Sequence, residues 1–497
     1  MFANPLLIVA LLTTGAIAVW GLVDTAGLAT LSASLVHIQF TSRAWFIMLT
    51  VSFLLIVTIW LALSRFGSLR LGRDDEKPEF STISWLTMLF SAGMGVGLLY
   101  WGAAEPLTHY LALTELDESR EAAASALFLT LFHWGIHAWT IYAITGLVIA
   151  FFGFRLGCPS LVSAPIGKVF GAYPIAKTVG WICDLMAIVA VAIGLGGSIA
   201  MGVFQIKEGV EALFGLSNTG ALLTYVIFGV LVLAYILPLT VDLQKGMAVL
   251  SNTAMGIAGA LMVFILIAGP THYIMGGITQ SIGDYLGNVV THGFRTFTFM
   301  DERVESWFQS WTLNYMVWWI AWAPFVGVFI ARISRGRTIR EFLMGVVLVP
   351  TAFSILWFGT FGSAGFHAAL RTDLPILDVV RGNVSAVTFY VLDHMPLPTL
   401  TIAAVVGAAF LFIVTSVVSA AFVLSMFSTS GSLDPPVRVK LAWGGLLGAL
   451  GLVMILSGNI DTVKSIIALG ALPFVFVLLL LVVCFLKALK AERIPVS

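Results

Sequence analysis

The chain has 497 residues, of which 59% are hydrophobic and only 10% charged, and its mean hydropathy is +1.02. A water-soluble domain carries roughly 25% charged residues, so composition excludes a soluble protein and points to a polytopic α-helical membrane protein. The formal net charge is zero and no basic tract is present, which argues against nucleic-acid binding.

Hydropathy and helix breakers predict twelve transmembrane spans. Their approximate limits are 4–23, 43–65, 83–102, 122–153, 174–203, 220–239, 247–270, 305–333, 339–362, 397–427, 438–457 and 462–486. The first run lacks a basic n-region and reads as a retained span, not a cleaved signal. An even count puts both termini on one side. That side collects 17 of the 25 Lys and Arg, among them Arg65, Arg70 and Arg73 after span two and Arg332, Arg335, Arg337 and Arg340 after span eight. Positive charge marks the cytoplasm, so both termini are expected inside a cell membrane (inner or plasma). The connections 271–304 and 363–396 mix apolar and polar residues at helical intervals and read as extracellular interfacial helices. With both terminal tails short, residues 1–497 form a single transmembrane domain. Cys158, Cys183 and Cys484 show no motif spacing, so neither a disulfide framework nor a metal cluster is expected, and no cofactor is called for.

Two spans carry helix breakers at mid-membrane. Span three holds Gly93, Gly95 and Gly97 at alternate positions, each costing about 1 kcal/mol against alanine in a helix. Unwound backbone in a membrane must line a cavity or bind something, although small residues also serve close helix packing. Span eight has Pro324 and Gly327. Counting five spans from each break gives two units, spans 3–7 over 83–270 and spans 8–12 over 305–486, preceded by two extra helices over 4–65. Interrupted first helices in two such units are a signature of inverted-repeat transporters.

Aromatic residues gather beside both breaks. At about 100° per residue, Trp318, Trp319 and Trp322 fall on one face of span eight. Span four offers Trp134, Trp139 and Tyr142, flanked by His133 and His137. A box of electron-rich rings without a counter-charge suits a quaternary ammonium group, at roughly 0.5–2 kcal/mol per ring. Glu105, closing span three beside Pro106, reads as structural, and Asp184 in span five as a functional group or a bond to neighbouring backbone. No HExxH, GxSxG or paired intramembrane carboxylates appear, so an enzyme is not expected. A closed aromatic box also argues for alternating access over a channel.

The stretches SAGMGVGLLYWGAAEP, FHWGIHAWTIYAITG and WWIAWAPFVGVFIARISRGRTIREF resemble the betaine/choline/carnitine transporter family. The resemblance implies a LeuT-like 5+5 inverted-repeat fold, a homotrimer, and secondary active transport of small quaternary-ammonium compatible solutes (osmoprotectants). It places an aromatic box on Trp134, Trp139, Tyr142 and Trp319, with Trp322 and Trp318 on the access route and Tyr100 at a further substrate position. The substrate carboxylate would meet the backbone near Gly93, Gly95 and Gly97. Proton-coupled choline carriers place an aspartate where this chain has Gly97, so a zwitterion such as glycine betaine is favoured over choline. The resemblance also implies a sodium site at Ser91, Met94, Phe412, Thr415 and Ser416. At the family's second sodium site the aligned residues are Val191 and Leu195, which offer no oxygen, and Val417 and Val418 replace its usual alanine and aspartate. One-sodium symport is the expectation, with sodium-independent exchange of carnitine-like solutes or choline transport as alternatives.

Overall fold

The computed structural model describes residues 4–93, 95–115, 121–216, 219–240 and 244–492, without the side chains of 90–93, 244 and 245. Apolar runs become helices almost throughout, because backbone in hydrocarbon has to pair its own N–H and C=O groups. In chain order these are α1 (Pro5–Val23), α2 (Thr25–Leu63), α3 (Thr82–Gly93), α4 (Val96–Glu115), α5 (Ala122–Trp134), α6 (Ile136–Ala150) and α7 (Ser163–Phe170). There follow α8 (Ile175–Phe214), α9 (Gly220–Ile236), α10 (Gln244–Ala268), α11 (Thr271–His292), α12 (Glu302–Phe308), α13 (Asn314–Ile333) and α14 (Ile339–Arg371). The chain closes with α15 (Ile376–Gly382), α16 (Val387–Asp393), α17 (Pro398–Ser428), α18 (Val437–Leu456), α19 (Ile460–Ala471) and α20 (Phe474–Leu489). Among the described residues no strand forms, and the only bridge pairs Arg70 with Thr338.

Among the described residues, ten helices are long and apolar enough to cross a membrane, or eleven when α19 and α20, bent by 41°, count as one span. The expected third span is split: α3 ends at Gly93, Gly95 is not helical, and α4 starts at Val96. The expected interruption of span eight is not found. The α13 helix runs unbroken through Pro324 and Gly327. Gly327 serves a close crossing instead, since a Cβ there would stand 2.8 Å from Thr145 Cγ2 and 3.1 Å from the Gly146 backbone nitrogen of α6. The irregular turn of this span lies earlier, as a π-helical segment at Gln309–Leu313 joining α12 to α13.

Span four shows a break that hydropathy does not reveal. Between α5 and α6 the chain turns at Gly135, and the freed amide of Ile136 donates to the Tyr285 hydroxyl at 2.8 Å. A Cβ on Gly135 would lie 1.9 Å from that oxygen, so only glycine fits. Tyr285 belongs to α11, which turns Ile274, Ile278, Ser281, Tyr285, Val289 and His292 inward at helical spacing against α5 and α14. The other long connection is shorter than expected, because α14 continues to Arg371 before α15 and α16.

The core is a set of helix pairs, α13 on α6, α8 on α17 and α18, and α4 on α5 and α14. At one end of the bundle the segments after α2 and α13 pair through backbone: Leu71 N–H donates to Arg337 O and Gly336 N–H to Leu71 O, both at 2.8 Å. Arg337 lies over the Trp85 ring at 4.1 Å, and Arg335 meets Glu76 at 2.6 Å. Arg155 binds Asp74 and Glu492, each at 2.7 Å, which ties the segments after α2 and α20 to the turn that follows α6.

Candidate functional site

The interruption between α3 and α4 opens onto a cavity enclosing about 70 Å³, several times the roughly 10–15 Å³ that a single water needs. Gly95, Val96, Gly97 and Trp101 form one side, Trp134 and Tyr142 a second, and Tyr315, Trp318, Trp319 and Trp322 a third. The fourth side comes from Leu195, Ser198 and Met201 of α8 with Ile413, Ser416 and Val417 of α17.

The rings pack edge to face around Trp319. Its centroid lies 5.6 Å from Trp134 with the planes at 84°, and 4.8 Å from Tyr142 at 56°. Trp139 stands 5.8 Å from Trp319 and 5.6 Å from Tyr142, fully buried behind them and off the cavity surface. Such offset arrangements leave ring faces, which carry the negative end of the quadrupole, free to line a space. Tyr100 is likewise displaced: its hydroxyl pairs with Ser385 Oγ at 2.7 Å, and its ring packs on Trp101. Trp101, which sequence reading passed over, takes the place on the wall. Tyr315, Ser198 and Met201 were missed as well. The i, i+3, i+4 spacing of Tyr315 to Trp318 and Trp319 is the signal that could have found Tyr315.

The backbone side is equally tight. A Cβ on Gly97 would stand 3.1 Å from Trp134 Cη2, while one on Gly95 would meet nothing nearer than 3.9 Å, at Ser416 Oγ and Trp322 Cη2. Gly95 therefore faces open space in the cavity, and Gly97 is pressed against its aromatic wall. Gly93 ends α3, and what surrounds it lies outside the described residues.

Of the expected sodium ligands, Ser416 lines the cavity, whereas Thr415 Oγ1 donates back to the carbonyls of Leu411 (2.9 Å) or Phe412 (3.1 Å). That leaves the Thr415 oxygen lone pairs as acceptors. Phe412 is buried in α17. The Ser91 side chain and all of Met94 lie outside the described residues, so only part of this set can be placed. Val191 and Leu195 are fully buried in α8, and Ser198 offers the nearest hydroxyl on that helix face.

The buried polar residues behind the rings were also underread. Glu105 accepts from His133 Nδ1 at 2.7 Å, from Trp134 Nε1 at 2.8 Å, from His109 Nε2 at 3.3 Å and from the Tyr315 hydroxyl. The box is thus not without a carboxylate close by. Ligand atoms of Glu105, His109 and His133 lie within 4.8 Å of one another, a spacing that could admit a metal ion. The carboxylate lone pairs are already directed at N–H and O–H donors, which identifies a hydrogen-bond network. Asp184, the other intramembrane acid, accepts from the Ser163 backbone amide at 2.8 Å.

A broken helix, an aromatic cavity and a multi-span bundle together describe a carrier of small solutes. The sequence pattern of the BCCT, or betaine/carnitine/choline family transporter, matches residues 5–494. The chain belongs to this transporter family. It is 40% identical over 485 residues to the glycine betaine transporter OpuD of Bacillus subtilis (strain 168), covering 97% of this chain and 93% of that one. It is 34% identical over 466 residues to an ectoine/hydroxyectoine transporter of Virgibacillus pantothenticus, covering 92% and 91% of the two chains. A glycine betaine transporter of Acinetobacter baylyi (strain ATCC 33305 / BD413 / ADP1) is 35% identical over 453 residues, covering 91% of this chain and 68% of that one. As a member of a transporter family, this BCCT chain moves a solute and is not an enzyme.

Proposed function

We propose that this BCCT chain is a secondary active transporter of a glycine betaine-like zwitterion, working by alternating access and coupled to one sodium ion. The observation that carries the reading is a single cavity shared by ring faces and broken-helix backbone: Trp134, Trp319 and Tyr142 oppose Gly95 and Gly97. Rings attract a methylated ammonium, and unpaired N–H groups at an unwound helix attract a carboxylate. Glycine betaine carries both groups a few ångströms apart. The glycine at 97 leaves no acidic side chain to hold an unbalanced cation such as choline inside the cavity.

Coupling rests on Thr415 and Ser416 beside the interrupted helix, with oxygen ligands of the kind a small hard cation takes. One sodium moving down ~100 mV gains about 2.3 kcal/mol, and a tenfold gradient adds about 1.4 kcal/mol. One ion then supports a several-hundred-fold gradient of a zwitterion, by the same conversion. In this reading α3 and α4 form one interrupted span, giving twelve in a LeuT-like inverted repeat with both termini in the cytoplasm. The apolar windows of α9 and α10 are only 28% and 22% buried, leaving surface for lipid and for the partner subunits of a homotrimer.

Proteoliposomes decide the matter. An inward sodium gradient should drive uptake of radiolabelled glycine betaine with a sodium Hill coefficient near one. A coefficient near two would overturn single-site coupling. Uptake indifferent to sodium would favour the second reading, sodium-independent exchange of carnitine-like or betaine solutes, which Val191 and Leu195 support by offering no oxygen. Competition by ectoine but by no trimethylammonium compound would overturn the substrate class.

A further inference from the structure

Glu105 lies on α4 with no exposed surface, behind two walls of the cavity. One carboxylate oxygen, Oε2, accepts from Trp134 Nε1 and from the Tyr315 hydroxyl, and both rings line the cavity. The other, Oε1, accepts from His133 and His109. The geometry lets both histidines make these contacts as neutral rings. His133 Nδ1–H donates to Glu105, and its Nε2 lies 2.9 Å from Thr312 Oγ1, a hydroxyl that donates to it in the neutral ring. Among the described residues His109 Nδ1 has no hydrogen-bond partner, as suits an unprotonated nitrogen, since a buried N–H without an acceptor costs about 1–3 kcal/mol. The nearby cation is Lys464, whose Nζ sits 3.8 Å from the Trp311 ring centroid and is paired with Asp461 at 3.4 Å. With both histidines neutral, the Glu105 carboxylate is the charged member of this cluster.

That charge has a direct route into the box. An indole N–H or phenol O–H donating to a carboxylate gives electron density back to its ring, and cation–π attraction follows the ring's negative face. A low local dielectric preserves such effects across a few ångströms. We propose that Glu105 is the remote counter-charge of the aromatic box. By polarising Trp134 and Tyr315 from behind, it sets the preference for a quaternary ammonium over an uncharged group of the same shape. It is a positioning and specificity-determining residue, and the substrate does not touch it. The proposal rests on the reading that the cavity holds a methylated ammonium.

A matched pair of ligands separates this role from simple bracing of α4, α5 and α13. Glycine betaine and 3,3-dimethylbutanoate share one shape, with a quaternary nitrogen in the first and a quaternary carbon in the second. Affinities of the purified full chain for both are measured by tryptophan fluorescence and calorimetry. Glu105→Gln keeps the side-chain volume and removes the charge; it should lower the betaine-to-isostere affinity ratio at least tenfold, which is about 1.4 kcal/mol. Glu105→Asp, which keeps the charge, should retain most of the ratio. A Glu105→Gln protein that loses affinity for both ligands alike, its ratio within twofold of wild type, overturns the proposal. Should that variant fail to fold, Tyr315→Phe removes one of the two donors to Oε2 and should lower the ratio about threefold; an unchanged ratio refutes the idea equally. If the wild-type chain itself prefers betaine no more than its isostere, the reading of the cavity fails first. If wild type discriminates and the variants discriminate as well as it does, only the role of Glu105 falls.

Discussion

Replacing Gly97 with alanine tests the contact between broken helix and aromatic wall. The added methyl would stand 3.1 Å from Trp134 Cη2, inside the ordinary separation of about 3.5–4.0 Å for carbon atoms. Trp134 has little room to give. Its N–H is tied to Glu105 at 2.8 Å, and its ring packs on Trp319 at 5.6 Å, Tyr315 at 5.8 Å and Phe358 at 5.2 Å. Overpacking of this kind costs about 1–3 kcal/mol, while alanine gains about 1 kcal/mol over glycine in the first turn of α4. Folding stability should therefore fall by no more than about 2 kcal/mol. The ring displacement acts on the ligand as well, because Trp134 would part from its hydrogen bond and from the box geometry together. We expect glycine betaine affinity to drop about tenfold, or 1.4 kcal/mol. The assay is a thermal melt beside a tryptophan-fluorescence titration on the same sample. Wild-type affinity in a normally folded Gly97→Ala protein would refute the argument.

Four further substitutions have expected outcomes. Trp319 faces the cavity and Trp139 stands behind it, so Trp319→Leu should weaken betaine binding about 10- to 30-fold, the equivalent of one desolvated cation–π ring. Trp139→Phe should lower the melting temperature and leave affinity within about threefold, since its ring is replaced by another; equal binding losses would place Trp139 in contact with ligand. Thr415→Val keeps shape but removes an oxygen, and should raise the sodium concentration for half-maximal uptake at least tenfold, or about 1.4 kcal/mol, with substrate selectivity intact. At the paired end of the bundle, the Arg73 backbone amide, aided by the Arg335 guanidinium, holds the Glu76 carboxyl below its ordinary 4.5. A depressed carboxylate pKa adds stability above the unfolded value, and that share is lost as pH falls through the folded one. Glu76→Gln should thus lower the melting temperature at pH 7, and the gap should close as pH drops below about 4.5; a gap that is constant with pH would show that the charge contributes nothing.

The sequence was legible where chemistry repeats at a fixed interval. Trp318, Trp319 and Trp322 were placed on one helix face by angle alone, and all three line the cavity. The alternate glycines of span three mark a true interruption, because three weak helix formers within five residues outweigh any one neighbour's propensity. The same reasoning failed at Pro324 and Gly327, where breakers sit inside a continuous helix. The difference is what faces them: Gly327 abuts the backbone of Gly146, and packing on α6 keeps α13 one continuous helix where local propensity alone would break it. Gly135 shows the converse, a lone glycine whose break depends on the Tyr285 hydroxyl, 149 positions beyond the Ile136 amide it binds. Glu105 was read as structural for a related reason. Its partners His133, Trp134 and Tyr315 lie 28, 29 and 210 positions along the chain, and one sequence carries no record of which distant donors converge on an acid. A buried charge had to be surrounded by donors; of its two ring donors, Trp134 stands among the predicted box residues and Tyr315 does not. What was hidden was that their polar edges turn away from the cavity toward the acid, which leaves their ring faces for the ligand.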